Sequence, residues 1–171
     1  MPDHVVLVAY GSTYGSTAEL AQAVGSALGK AGLSAHVRSA DEVRDLTPYD
    51  AVVVGGALYA GRWQRDARRF ARRHRRVLSR LPLWLFSSGP LDASASQRDL
   101  PPPRSVRRLT HRLGAREHVT FGGRLDERAR GRMARMIVRA GRGGDFRDFD
   151  AVSAWASGIA RELHSLRETA R

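Results

Sequence analysis

The stretch His4-Val-Val-Leu-Val-Ala-Tyr10-Gly-Ser-Thr-Tyr-Gly-Ser-Thr17 carries the pattern that decides the fold. Val5 to Ala9 is an unbroken, mostly β-branched apolar run, as expected of a parallel strand covered on both faces. At Gly11 it gives way to hydroxyls and glycines. Leu20, Ala21, Val24, Ala27 and Leu28 then recur at three- and four-residue spacing, which predicts an amphipathic helix. Strand, hydroxyl-rich turn and helix make the layout of a phosphate site. A helix start presents unpaired N–H groups and the positive end of a dipole. Ser12, Thr13, Ser16 and Thr17 add hydroxyl donors without adding charge.

Two familiar phosphate motifs are absent. The turn has no Lys, so it is not a GxxxxGK[ST] triphosphate loop, and Gly11 and Gly15 lack the GxGxxG spacing of dinucleotide folds. A hydroxyl cradle without a cation suits a single phosphate monoester held by hydrogen bonds, as in flavin mononucleotide (FMN). The alternative on this stretch alone is an ordinary strand–helix turn whose Ser and Thr cap the helix.

Outward from this stretch the chain alternates. Gly29 and Gly32 close the first helix; Ala35 to Ser39 reads as a short strand and Asp41 to Leu46 as a helical turn before Thr47-Pro48. Ala51 to Gly55 is a second strong strand, followed by the glycine-rich loop Gly55-Gly-Ala-Leu-Tyr-Ala-Gly61. Arg62 to Arg80 has the period of one long helix, with Trp63, Ala67, Phe70, Ala71, His74, Val77 and Leu78 on its stripe and most arginines off it. Leu83 to Phe86 is a third buried strand that empties into Ser87-Ser-Gly-Pro-Leu-Asp92. After a proline-rich connector, Val106, Leu109 and Leu113 predict a short helix ended by Gly114, and Glu117 to Gly122 a further strand. Residues 126–140 form a basic amphipathic segment, and Asp150 to Leu166 a final helix with Val152, Trp155, Ala156, Ile159, Ala160 and Leu163 inward.

A chain of 171 residues is most economically one domain, residues 1–171, with a full-sized core. There is no Cys, so disulfides, thiolate ligands and cysteine nucleophiles are excluded. The six His residues (4, 36, 74, 111, 118, 164) lack ligand spacing, no metal site is expected, and no Ser/His/Asp set or paired catalytic carboxylates stand out. No apolar run approaches the roughly 20 residues of a membrane span, and the N-terminus has no signal-like region, so the expected location is cytoplasmic. The net charge of +12 is uneven: residues 1–60 sum to −3 and residues 61–171 to +15. Of the 29 basic residues only Lys30 is not Arg. An anionic partner or surface follows, an anionic membrane face among them, either a substrate-binding or merely a solvated face being open for each run of arginines.

Strands alternating with helices imply right-handed βαβ units and a parallel sheet. Five strands fit an α/β doubly wound sheet of order 2-1-3-4-5, with the basic insertion, about residues 124–149, after the fifth. Ligands in such sheets bind outside the carboxyl ends at the switch point between strands one and three. The small-residue loops 11–17, 55–63 and 87–92 would converge there.

The turn Ser12-x-x-Gly15-x-Thr17 resembles the phosphate loop of the flavodoxin-like superfamily, with Tyr14 where flavodoxins usually have Thr. The resemblance implies FMN, its phosphate held by Ser12, Thr13, Tyr14, Gly15, Ser16 and Thr17. Its ring would be flanked by Gly56, Ala57, Leu58, Tyr59, Ala60 and Gly61 and by Ser87, Ser88, Gly89, Pro90 and Asp92, with Tyr59 as the stacking residue. The order of features is similar to the menaquinone-dependent protoporphyrinogen dehydrogenase group and its flavodoxin-domain relatives. The features are the short first loop, Gly56-Ala-Leu-Tyr-Ala-Gly61, the basic insertion, and Gly143-Gly-Asp145-Phe-Arg-Asp148 before Trp155. That likeness implies an FMN oxidoreductase taking electrons from a reduced porphyrin-like substrate to a quinone. The alternatives are a non-enzymatic electron carrier with another small-molecule acceptor, and an anion- or nucleic-acid-binding protein without flavin. For the last, no nucleic-acid recognition motif is present and few aromatics lie among the arginines.

Overall fold

A computed structural model describes residues 4–12, 15–89, 101–122, 124–125, 144–145 and 147–171. Strand β1 (Val5–Gly11) leads into helix α1 (Ser16–Lys30) and strand β2 (Ser34–Ser39), with a 3-10 turn at Ala40–Glu42. Strand β3 (Ala51–Tyr59) folds back on the two-residue β4 (Arg62–Trp63) before helices α2 (Arg65–Arg73) and α3 (Arg75–Leu78). Strand β5 (Leu83–Ser88), helix α4 (Arg104–Leu113), strand β6 (Glu117–Phe121) and the long helix α5 (Phe149–Thr169) complete the main body. The short strands β7 (Arg124–Leu125) and β8 (Gly144–Asp145) pair antiparallel and bracket the insertion. Its amphipathic segment 126–140 lies outside the described residues.

The sheet runs β2-β1-β3-β5-β6 with every neighbouring pair parallel, and β4 attaches antiparallel to β3. Counting only the five long strands, this is the expected 2-1-3-4-5 order. Alternation along the strands splits the core into two layers. Val6, Val8, Val53, Trp84 and Phe86 face α1 and α5, whose Leu20, Val24, Leu28, Val152, Ile159 and Leu163 cover them. Leu7, Ala9, Val52, Val54 and Leu85 face α2, α3 and α4 through Phe70, Ala71, Leu78, Val106 and Leu113. The apolar stripes expected for the first and last helices are buried except at Trp155, which is half-buried and packs edge-on to Phe86 and Phe121.

Three expectations are corrected. The long helix over 62–80 is instead a strand, two helices and a break. Backbone pairing of Leu58 with Trp63 claims the first two residues for β4, and the Gln64 side chain then caps α2, accepting from the N–H groups of Asp66 (2.7 Å) and Ala67 (3.3 Å). His74 leaves the helical region at φ −101°, and α3 is a separate turn. Trp63 lies four residues before Ala67, so a strand residue mimicked a helical stripe. Second, the glycine-rich stretch 55–61 is strand as far as Tyr59, and Ser87 and Ser88 also belong to a strand, because the central sheet extends pairing to Gly56 with Ser87 and Ala57 with Ser88. Third, the turn expected over Asp41–Leu46 shrinks to Ala40–Glu42, while Val43 and Leu46 are buried in the α2 layer.

Candidate functional site

The three chain segments expected to converge end level with one another. Gly11 pairs with Gly56, and Gly56 with Ser87, so the carboxyl ends of β1, β3 and β5 form one edge at the switch point.

At the first segment, Gly15 takes a left-handed conformation (φ 87°) and its N–H donates to Ser12 Oγ at 3.0 Å. A Cβ at Gly15 would meet nothing within 4 Å, so the demand for glycine is conformational. No side-chain cap bond is made at Gly15, the residue that opens α1, and the first turn of a helix carries amides without intrahelical partners. Thr17 in that first turn is fully buried, and its hydroxyl has no hydrogen-bond partner. Such a group costs stability unless something satisfies it. Thr120 on β6 is the other buried hydroxyl in this condition among the described residues, but it sits in no helix start. An uncapped helix start, a left-handed glycine and an unsatisfied hydroxyl fit a phosphate monoester such as that of FMN. Thr13 and Tyr14, between them, lie outside the described residues.

The second segment is a tight hairpin. Ala60 (φ 50°) and Gly61 (φ 76°) both have positive φ, as a two-residue turn matched to strand twist requires. Tyr59, at the tip, is 40% exposed and so presents a ring at the strand edge. Gly56 and Ala57 are buried and Leu58 half-buried, lower in β3. A Cβ on Gly56 would lie 2.4 Å from the Trp63 ring, so this glycine makes room for Trp63.

At the third segment, Ser87 and Ser88 are buried and Gly89 donates to the Phe121 carbonyl at 2.8 Å. Pro90 and Asp92 lie outside the described residues. Ser87 is the centre of a network that sequence reasoning missed. The Trp63 indole N–H donates to Ser87 Oγ at 2.8 Å, and Ser87 Oγ lies 2.7 Å from His118 Nε2. The indole N–H occupies one lone pair of Ser87 Oγ, which leaves the hydroxyl proton and a second lone pair for His118 Nε2, the direction of that bond following the tautomer of the ring. Burial pushes the His118 imidazole down to about 4, so it is neutral at pH 7. No motif announces this set: its members are 24 and 31 residues apart, and the sole hint is that His118 shares a strand face with Thr120. His74, which the sequence places on the apolar stripe, is buried against Phe70.

Among the described residues no group of three or more metal-ligating side chains could hold an ion, and no helix is long and apolar enough to cross a membrane.

The sequence profile of the flavodoxin domain matches residues 7–148, and the chain belongs to that family. Solved structures of similar fold include a flavodoxin from the domain Archaea (TM-score 0.61, 13% identity), covering 94% of this chain and 99% of that one. A mutant flavodoxin from Pseudomonas aeruginosa is similar over the same shares of the two chains (TM-score 0.57, 19% identity). The rubredoxin oxygen:oxidoreductase of Desulfovibrio gigas (TM-score 0.64, 12% identity) is matched by 96% of this chain, which spans only 37% of its length. No curated protein sequence gives a significant match.

Proposed function

We propose that this chain is an FMN-binding flavoprotein that passes electrons from a donor to a small-molecule or quinone acceptor. The observation that carries the reading is the buried, partnerless Thr17 hydroxyl in the uncapped first turn of α1. In this reading the α1 amides, Ser12, Gly15, Ser16 and Thr17 hold the phosphate, and the exposed Tyr59 ring covers one face of the isoalloxazine. Bound FMN supplies the redox chemistry. The chain's own task is to orient it, and to hold its phosphate by amides and hydroxyls in a turn that carries no Lys or Arg. Oxidation of a reduced porphyrin-like substrate is the finer proposal; it rests on the order of sequence features and on the arginines available to an anionic substrate.

The test is the visible spectrum of the purified protein before and after FMN is added, with Thr17→Val alongside. Flavin absorption bands with quenched fluorescence, and affinity weakened about tenfold or more in Thr17→Val, are expected from loss of one hydrogen bond to a charged group. Wild-type protein that ignores excess FMN overturns the reading. With FMN bound, absence of turnover on any reduced porphyrin removes the porphyrin proposal and leaves the carrier.

A further inference from the structure

The structure assigns a second ligand site, for a small amphiphilic anion, to the cleft between α2 and α4. The cleft holds about 180 Å³. Arg68, Arg72 and Arg75 line it from one helical face of α2 and the start of α3, at spacings of four and three residues, and Arg112 lines it from α4. Between them lies an apolar floor of Ala71, Val106 and Leu109. Trp63 forms one wall, held there by Ser87, and Ser105 donates to the Gly61 carbonyl at 2.7 Å, tying α4 to the β3–β4 hairpin.

The charge and the floor select the ligand together. Among the described residues no carboxylate pairs with any of the four guanidinium groups. Four like charges around one small cleft repel each other, and an anionic head offers them charge-assisted hydrogen bonds of the forked kind that guanidinium favours. An inorganic anion would leave the apolar floor unused, an uncharged apolar molecule would leave the arginines unpaired, and a cation is repelled. A phosphate, sulfonate or carboxylate head on an apolar body uses both. The volume is below the roughly 300–1,000 Å³ of sites that enclose drug-sized ligands, so the cleft takes the part of the body next to the head. None of the phosphate-loop residues line this cleft, so the site stands whether or not FMN binds.

The experiment is calorimetric titration of the full chain with decyl phosphate below its micelle threshold, with and without saturating FMN. Arg68→Gln/Arg72→Gln is compared with Arg65→Gln/Arg69→Gln, which removes the same charge from exposed α2 positions that do not line the cleft. Thermal melts verify that both variants fold. One decyl phosphate per chain is expected, with affinity down roughly tenfold or more in the first variant and within about twofold of wild type in the control. Decyltrimethylammonium should not bind, and FMN should leave the titration unchanged. Equal losses in both variants would reduce the effect to general electrostatics and overturn the site. Competition by FMN would assign the binding to the phosphate loop instead. Binding to anionic vesicles without binding of monomeric decyl phosphate would replace the small ligand by a membrane surface.

Discussion

The two ends of the switch-point edge differ in the hydroxyl at their centre, Thr17 at one and Ser87 at the other. At the β1–α1 turn, Thr17 buries a hydroxyl with no partner and α1 starts without a side-chain cap. At the β5–β6 side, Ser87 Oγ is paired with both the Trp63 indole and His118 Nε2 at 2.7–2.8 Å, while His118 Nδ1 and the Thr120 hydroxyl beside them are buried without a partner. The glycines divide the same way. Gly15 faces open space and is needed for its left-handed backbone, whereas Gly55 and Gly56 are packed, with Cβ positions 2.0 Å from the Phe86 ring and 2.4 Å from the Trp63 ring. A closed network is scaffold: it holds the hairpin and β6 in place. Under the proposed FMN reading, the partnerless Thr17 hydroxyl belongs to the part of the edge that binds and the Ser87 network to the part that positions.

The comparison breaks first, and with the largest effect, if the closed side tolerates change. Gly55→Ala drives a methyl into the Phe86 ring and should destabilise the fold by about 3 kcal/mol or more, read as a lowered denaturation midpoint. A neutral result would mean that the Phe86 layer is loosely packed.

The next effect is pH dependence. His118 has a folded-state pKa of about 4, against an ordinary value of 6.5, because burial disfavours its charged form. The native state therefore binds fewer protons than the unfolded state below pH 6.5. This contribution to stability is full above about pH 6.5 and is lost progressively as pH falls from there through 4, on the order of 3 kcal/mol in all. Urea melts from pH 7 to pH 4 should show that slope in the wild type and a flatter one in His118→Gln. Equal slopes would take His118 out of the buried network.

Ser87→Ala follows, at roughly 2 kcal/mol, since it strands the Trp63 indole N–H and His118 Nε2 in the interior. Blue-shifted or broadened Trp fluorescence should accompany the loss of stability. The smallest effect has the opposite sign. Thr17→Val replaces a partnerless hydroxyl by a methyl of similar shape and should stabilise the free protein by up to about 1 kcal/mol while weakening FMN. A variant that is destabilised without FMN would show that Thr17 has an internal role, and the contrast between the two ends would fall.

Local pattern was enough for the elements whose neighbours impose nothing unusual. The first and last helices, the helix closed by Gly114 in its left-handed conformation (φ 64°) and the five long strands all follow their apolar periods. Pattern misled where a tertiary partner overrode it. Trp63 has helical spacing to Ala67 and Phe70, yet β3 and Ser87 hold it in a strand. Ser87 and Ser88 look like loop residues by composition, yet they lie in the sheet interior because β3 and β6 supply their backbone partners on both sides.

By itself, then, the sequence determined the alternation of strands and helices, the parallel sheet that alternation implies, and the hydroxyl-rich turn after the first strand. Each of these depends on residues close together in the chain, whose period or turn chemistry is a local property. The tertiary structure alone decided which polar groups are paired and which are open, and where the arginines of two helices meet over one apolar floor. Those outcomes depend on contacts such as Trp63 to Ser87 and Ser87 to His118, spanning 24 and 31 residues. No local period encodes such a distance; the pairing of β3, β4, β5 and β6 sets the first outcome, and α2 and α4 packed on that sheet set the second.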